Sequence, residues 1–373
     1  LHDSRSASLT AANVLIIGRM KTGEQASPTP VSIASNEATE IGSAARPAHQ
    51  DGRGQIGYPS SWYYFGSVQE LRRGPLTKEL LGQRLVGFIT ESGRPGVLSS
   101  RCVHMGSDLG GGCVVGETLQ CSLHNWRFGP DGRCTHIPSS DQLPSFARQN
   151  SFPATIRHGS LYFFLGAEPR FPLPFFEGFE PEEFVVAKPF VEYVQCPWYM
   201  IGANAVDVQH FVIAHDRRMK CPPEVSHPNP NVHRTICHFE VAGNSLGDQI
   251  TKRFGGADVR LQVTDWSSTM ILARSTLAKT ETFGIVAPVP LGPDRTMAHV
   301  IVMARASSDL MRRKLLDPLR SRVRRMLIRK FLRSDVDRLT GTNYSPHTLI
   351  DIDQQFSEYF DWLMKLRSHR TES

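Results

Sequence analysis

The apolar and polar positions divide the chain into three stretches. Residues 1 to about 58 are rich in Ser, Ala, Thr, Gly and Pro, with one short apolar patch from Val14 to Ile17. That is too little to bury a core, and it predicts a disordered arm. Apolar runs then begin abruptly. Trp62 to Phe65, Leu85 to Ile89 and Gly96 to Leu98 read as β-structure broken by Gly and Pro turns, and Leu161 to Leu165 reads as a closing strand. The Pro-rich stretch from Pro169 to Pro174 is a natural boundary.

Beyond that boundary the period of the pattern changes. Phe190 to Cys196 reads as a strand and Ala203 to Ala214 as a helix, and residues 232 to 305 alternate apolar and polar side chains as an antiparallel sheet does. Leu310 to Leu339 turns helical, with Asp317 as N-cap and Pro318 at the first helical position as its start signal. Glu358 to Leu366 closes the chain with a short helix. The fold class predicted is α+β: an arm over 1–58, an all-β domain over 59–170, and an antiparallel sheet with helices over 171–373.

Composition adds bounds. A chain of 373 residues can hold two domains with sizeable cores. The net charge of +6 is too diffuse for a nucleic-acid protein but suits docking an acidic redox partner. Seven cysteines do not make a secreted disulfide framework, so a cytoplasmic location is expected. No apolar run reaches the length of a membrane span, and the start lacks the apolar core of a signal peptide.

The candidate chemistry is concentrated between Cys102 and Cys134. Cys102 and His104 stand one residue apart, Cys121 and His124 two apart, and a Gly-rich stretch of 16 residues separates the two pairs. Two mixed Cys-His pairs on facing loops are what a Rieske 2Fe-2S centre requires, because one iron takes both thiolates and the other both imidazoles. Zinc accepts the same four side chains, but zinc fingers usually group Cys with Cys and His with His. A respiratory Rieske protein would carry a disulfide across its cluster loops, for which Cys113 and Cys134 are the candidates, but the long chain that follows argues against a pure electron carrier. The wording Cys-x-His-Met-Gly-x-Asp-Leu and Cys-x-x-His-x-Trp-Arg-x-Gly-x-Asp-Gly-Arg-Cys resembles the cluster domain of Rieske non-heme iron oxygenases. It is closest to the 3-ketosteroid 9α-hydroxylase and aminopyrrolnitrin oxygenase groups.

A second constellation follows at Asn204-Ala-Val-Asp207-Val-Gln-His210-Phe-Val-Ile-Ala-His215. His210 and His215 with one carboxylate would form a 2-His-1-carboxylate triad. Two histidines five apart point about 140° away from each other on a regular helix, so sharing one iron demands a helix end or a local distortion. The motif resembles the iron motif of the same group. By that resemblance the third ligand is a carboxylate on a late helix, placed at Asp335 with Asp337 as its rival, since periodicity cannot choose between them. The resemblance also implies that Asp207 acts in catalysis by joining His210 to the cluster ligand His124 of a neighbouring subunit in a homotrimer.

What the resemblance implies as a whole is an oxygenase: a Rieske domain followed by a helix-grip catalytic domain. Electrons from NAD(P)H would arrive through a separate ferredoxin or ferredoxin reductase, pass to the 2Fe-2S cluster and then to a mononuclear Fe(II), with O2 as co-substrate. Hydroxylation of a mostly apolar ring-containing small molecule is the expected reaction, with N-oxygenation, demethylation or a bare electron carrier as alternatives. Two features depart from the group. Ala203 stands where a Glu often precedes the Asn, and the run after His215, Asp-Arg-Arg-Met-Lys-Cys, is unusually basic. A basic run on the late helix, including Arg324, Arg325 and Arg329, reads as a solvated face or as a docking face for an acidic ferredoxin.

Overall fold

The computed structural model describes residues 56–345 and 348–366. The arm assigned to residues 1–58 lies outside the described residues except for its last three. Of these, Tyr58 packs against Trp198, with ring centroids 6.3 Å apart.

The first half is made of short strands. They are β1 (Trp62–Ser67), β2 (Leu76–Leu80), β3 (Gln83–Ile89), β4 (Pro95–Ser99), β5 (Cys113–Val115), β6 (Thr118–Gln120), β7 (Arg127–Phe128) and β8 (Cys134–His136). Helix α1 (Val68–Leu71) links β1 to β2, and β9 (Ser151–Phe152), β10 (Ala154–Arg157) and β11 (Ser160–Phe164) complete the half. Antiparallel pairing gives three small sheets, ordered β1-β11-β10, β2-β3-β4-β9 and β5-β6-β7-β8. Both faces of β3 are covered, so Leu85, Val86 and Phe88 are all fully buried. Gly87 is required between them, because a Cβ there would lie 2.3 Å from the ring of Phe65.

The second half begins with β12 (Phe184–Val186) and β13 (Phe190–Val194), then helices α2 (Tyr199–Asn204) and α3 (Val208–His215). It continues through β14 (Arg217–Met219), β15 (Glu224–Ser226), β16 (Val232–Val241), α4 (Leu246–Phe254) and β17 (Asp258–Trp266). Strands β18 (Met270–Leu277), β19 (Thr280–Gly292) and β20 (Arg295–Arg305) lead to α5 (Leu310–Leu339) and α6 (Gln354–Met364). The path β12-β20-β19-β18-β17-β16-β14 is antiparallel throughout, with β13 also on β20 and β15 also on β16. The strands within 232–305 form one sheet, but the stretch also holds helix α4, which the alternation did not reveal. In β16 the buried positions Thr235, Cys237, Phe239 and Val241 fall on one face, as a period of two requires.

The halves share a core. Phe65, Leu161 and Phe163 of the first pack in the same cluster as Leu272, Phe283, Ile285 and Met303 of the second. The Pro-rich stretch at 169–174 is a strap over that cluster: Trp62 donates its indole N–H to the Phe171 carbonyl at 2.9 Å, and Arg157 donates to the Leu173 carbonyl at 2.8 Å.

Helix boundaries correct the sequence reading in three places; the final helix runs Gln354–Met364, starting four residues before the expected Glu358. The late helix does not start at Pro318; it starts at Leu310, where Asp309 caps it by accepting from the Arg312 N–H at 2.7 Å, and Pro318 lies in its interior. Asp317 is buried, and its carboxylate accepts from the backbone and hydroxyl of Ser307 at 2.7 and 2.8 Å. Its Pro neighbour gave the signature of a cap, but a tertiary contact uses the side chain. The segment 203–214 is likewise two helices, α2 and α3, because Asp207 interrupts it with extended backbone and caps α3.

Candidate metal centres

The first candidate centre is on two loops built alike. In the loop after β4, Cys102 donates its N–H to the Ser107 carbonyl at 2.8 Å and accepts from the Gly106 N–H at 2.7 Å. In the loop between β6 and β7, Cys121 donates to the Trp126 carbonyl at 2.9 Å and accepts from the Asn125 N–H at 3.1 Å. Both turns need a left-handed residue four places after the cysteine, supplied by Gly106 at φ 74° and Asn125 at φ 53°. The repeated geometry brings the two pairs together. The rings of His104 and His124 are 4.7 Å apart, and His104 stacks on Trp126 at 4.3 Å. Cys102 and Cys121 are both buried; burial pushes the Cys102 thiol up to about 11, and the adjoining Cys121 thiol adds to it. Two buried thiols side by side, with two imidazoles facing outward, suit a cluster whose second iron carries the histidines.

The motif's Asp108 and Leu109 have separate tasks. Asp108 accepts from the Gly110 N–H at 2.9 Å, the Thr77 hydroxyl at 2.7 Å and the Arg84 guanidinium at 2.6 Å, while Leu109 is fully buried. Gln149 was invisible to motif reading. It is buried, accepts from the Val103 N–H at 3.0 Å and donates to the carbonyls of Ser99 and Arg101, holding the first loop from 46 residues away. Cys113 and Cys134, the candidates for a disulfide across the loops, are both free.

The second candidate centre joins α3 to α5. Asp207 Oδ1 accepts the His210 N–H at 3.0 Å, which sets the start of α3. His215 is the last residue of the helix, and Asp216 follows in the left-handed region at φ 50°. No helix end separates the two imidazoles, contrary to expectation: both belong to α3, and the helix ends directly after His215. His210 Nε2 lies 3.1 Å from His215 Nε2 and 3.1 Å from Asp335 Oδ1, and His215 Nε2 lies 2.8 Å from the same oxygen. Among the described residues these three are the group whose His, Cys, Asp or Glu donor atoms come within 4.8 Å of one another. The rival Asp337 is exposed.

These separations test what the site can hold. Donors about 2.1 Å from a first-row ion stand roughly 3.0 Å apart at right angles and roughly 3.4 Å apart at tetrahedral angles. The observed spacings of 2.8 to 3.1 Å fit one face of an octahedron. The residues present therefore fit a mononuclear iron with open positions. Burial tends to raise the Asp335 carboxyl, but hydrogen bonds and charge from His210 and His215 outweigh it and hold the group below the usual carboxylate range. Phe331, one turn before Asp335, stacks on His215 at 3.7 Å, and Arg217 spans from the His215 carbonyl to Asp248 at 2.9 Å. The i−4 spacing of Phe331 from Asp335 was legible, but its partner was not. Beneath α3 the sheet is apolar: Phe211 packs on Phe239 at 6.0 Å, beside Cys237, Val241 and Val259. Arg324, Arg325 and Arg329 are engaged with Thr280, the Lys188 carbonyl and Glu192.

The β-domain with its two Cys-His loops has the donor set of a Rieske cluster, and an antiparallel sheet with a histidine-carboxylate set follows it. The comparisons agree. The profile of the Rieske [2Fe-2S] domain matches residues 61–147. Over 164 residues the chain is 32% identical to cholesterol 7-desaturase nvd of Xenopus laevis, covering 42% of this chain and 36% of that protein. Over 169 residues it is 30% identical to the oxygenase component of 3-ketosteroid-9-alpha-monooxygenase of Rhodococcus rhodochrous, covering 42% and 43%. The match thus spans well under half the length of either relative. Among solved structures, Pseudomonas putida CBB5 NdmA with caffeine superimposes with a TM-score of 0.62 at 18% identity, over 81% of this chain and 89% of that one. Dicamba monooxygenase with non-heme iron and dicamba gives 0.59 at 17% identity, over 83% and 97%. The chain carries a Rieske [2Fe-2S] domain, is related over part of its length to cholesterol 7-desaturase nvd and to the oxygenase component of 3-ketosteroid-9-alpha-monooxygenase, and has the fold of NdmA and dicamba monooxygenase.

Proposed function

We propose that the protein is the oxygenase component of a multicomponent system. The observation that carries this is the second donor set. His210, His215 and Asp335 come from two helices, His210 and Asp335 being 125 residues apart in sequence, and meet within 3.1 Å, in a chain that already holds a Rieske domain. A bare electron carrier has no use for it.

Cys102 and Cys121 hold one iron of the cluster and His104 and His124 the other, while His210, His215 and Asp335 hold the mononuclear iron. When bound, these groups supply one-electron transfer and activation of O2. The protein's own residues do the rest. Asp207 fixes the first turn of α3 and so the height of His210, Phe331 fixes the plane of His215, and Trp126 fixes that of His104. Asp207 further links the two metal sites across a homotrimer, bridging His210 of one chain and the cluster histidine of the next. Electrons come from NAD(P)H through a ferredoxin or ferredoxin reductase, which the exposed Met105 and Leu123 beside the cluster histidines favour as an apolar contact. The apolar sheet under α3 supports a mostly apolar, ring-containing substrate that is hydroxylated. The seven free cysteines support a cytoplasmic location.

Metal analysis and EPR on anaerobically prepared protein test the reading. The oxygenase reading requires an iron beyond the two of the cluster, removable without loss of the Rieske signal; protein saturated with iron that never exceeds two per chain defeats it.

A further inference from the structure

The strand that leaves the His215 end of α3 is paired to β16 in a way that singles out two cysteines. In β14, Arg217, Arg218 and Met219 stand opposite Val241, Glu240 and Phe239, and the Lys220 N–H continues the ladder to the His238 carbonyl at 2.9 Å. Pairing resumes in β15, where Glu224 stands opposite Ile236. Between these two registers Cys237 is the single residue of β16, and it faces Cys221, Pro222 and Pro223. In the β14 register Cys221 is the residue directly across from Cys237. Because the Lys220 N–H donates to the His238 carbonyl, and the Ala242 N–H to the Asp216 carbonyl at 3.0 Å, the position after Lys220 in this ladder is a non-hydrogen-bonded one, where Cα atoms of opposing residues approach to about 4.5 Å. That lies within the separation of about 4.4 to 6.8 Å that a disulfide spans.

Alternation sets the face of Cys237, and the register sets Cys221 opposite it. Arg218 with Glu240, and Lys220 with Asp258, form ion pairs on the solvent face. Met219, Cys237, Phe239 and Val241 share the opposite one, in a single apolar cluster. Cys221 lies in the bend just past the end of β14, near enough to Cys237 to act on that thiol. It is exposed, whereas Cys237 is buried.

The geometry points to Cys221 and Cys237 as an oxidative modification site, a thiol pair that hydrogen peroxide converts to a reversible disulfide stapling the strand after His215 to the sheet. The exposed Cys221 sulfur attacks the peroxide; an S–O bond forms, the O–O bond breaks, and one water leaves with Cys221 as a sulfenic acid. The Cys237 sulfur then attacks that sulfur, the S–S bond forms, the S–O bond breaks, and the departing hydroxide takes the Cys237 proton to leave as a second water. Two thiols are oxidised and one peroxide is reduced to two waters. Cys237 arrives at this step as a thiol, since burial first and then the nearness of Cys221 push it up to about 11. The inference stands on strand register and does not depend on the oxygenase reading.

The test treats metal-loaded protein with hydrogen peroxide, blocks remaining thiols with an alkylating agent under denaturing conditions, and maps peptides by mass spectrometry. A cross-linked pair of peptides containing Cys221 and Cys237, lost on treatment with dithiothreitol, is expected. Cys221→Ser should leave Cys237 fully alkylated, and Cys237→Ser should leave a sulfenic acid at position 221 that dimedone traps. These two peptides are read whatever happens to Cys102 and Cys121. Recovery of wild-type Cys237 in fully alkylated form, or a Cys221 link between two molecules, overturns the proposal.

Discussion

Asp265 is the buried carboxyl group whose replacement tests how the second half is held together. It sits at the end of β17 with no exposure; its carboxylate accepts from the Ser268 N–H at 2.7 Å and from the Tyr359 hydroxyl of α6 at 2.7 Å. Gly202 of α2 presses on the same group, since a Cβ there would lie 2.7 Å from the carboxylate and 2.0 Å from the tyrosine oxygen. The sheet, α6 and the helix that leads to Asp207 and His210 therefore meet at this one side chain. Burial raises the Asp265 carboxyl from 3.8 to about 7, against the opposing pull of its two hydrogen bonds. The fold keeps the proton while the unfolded chain gives it up, so the contribution is full below the unfolded value of 3.8 and is lost as pH rises to about 7. At about 1.4 kcal/mol per pH unit, tapering as the group titrates near pH 7, roughly 2 kcal/mol is lost between pH 5 and 7.

Asp265→Asn removes the titration without removing the contacts. Its amide oxygen can accept from the Ser268 N–H and its amide nitrogen can donate to the tyrosine oxygen, whose own proton turns to the Ser268 hydroxyl, 2.9 Å away in the native structure. Thermal unfolding of both proteins is followed from pH 5 to 8, and the difference is taken at each pH so that every other titration cancels. The variant should gain on the wild type by several degrees across pH 5 to 7 and hold that gain above pH 7. Parallel curves would mean that Asp265 is ionised in the folded protein throughout, and the argument from burial would be wrong.

Three further outcomes are expected. Asp335→Ala should lose the mononuclear iron and turnover while the Rieske absorption survives, and Asp337→Ala should change neither; metal analysis beside the visible spectrum distinguishes them. Asp207→Ala should destabilise the protein by about 1 kcal/mol through the lost cap, whereas Asp207→Asn should keep the cap and the iron yet slow cluster-to-iron electron transfer in stopped-flow measurements. Gly202→Ala should cost about 1 to 3 kcal/mol by overpacking, visible as a lower thermal midpoint; an unchanged midpoint would show that α2 is free to shift.

Much of the site was legible because its chemistry is local. The turns that aim Cys102 with His104 and Cys121 with His124 close within five residues, and a left-handed Gly106 or Asn125 is part of the same short segment, so residue type and spacing carry the information. The strands of 232–305 were legible for the same reason, since a period of two reports burial on one face. The start of the late helix was misread because Asp317 and Pro318 mimic a cap, while the carboxylate in fact answers Ser307 ten residues earlier. Asp335 and Asp337 differ by about 200° around a helix whose apolar side chains face both ways, so only the position of α3 against α5 selects Asp335. Gln149, Phe331 and the Asp265–Tyr359 contact have no local signature at all. The sequence by itself determined which side chains can bind metal and which strands form; tertiary structure decided which carboxylate meets His210 and His215 and what holds the ligands in place, because those contacts join residues whose distance along the chain has no bearing on their distance in space.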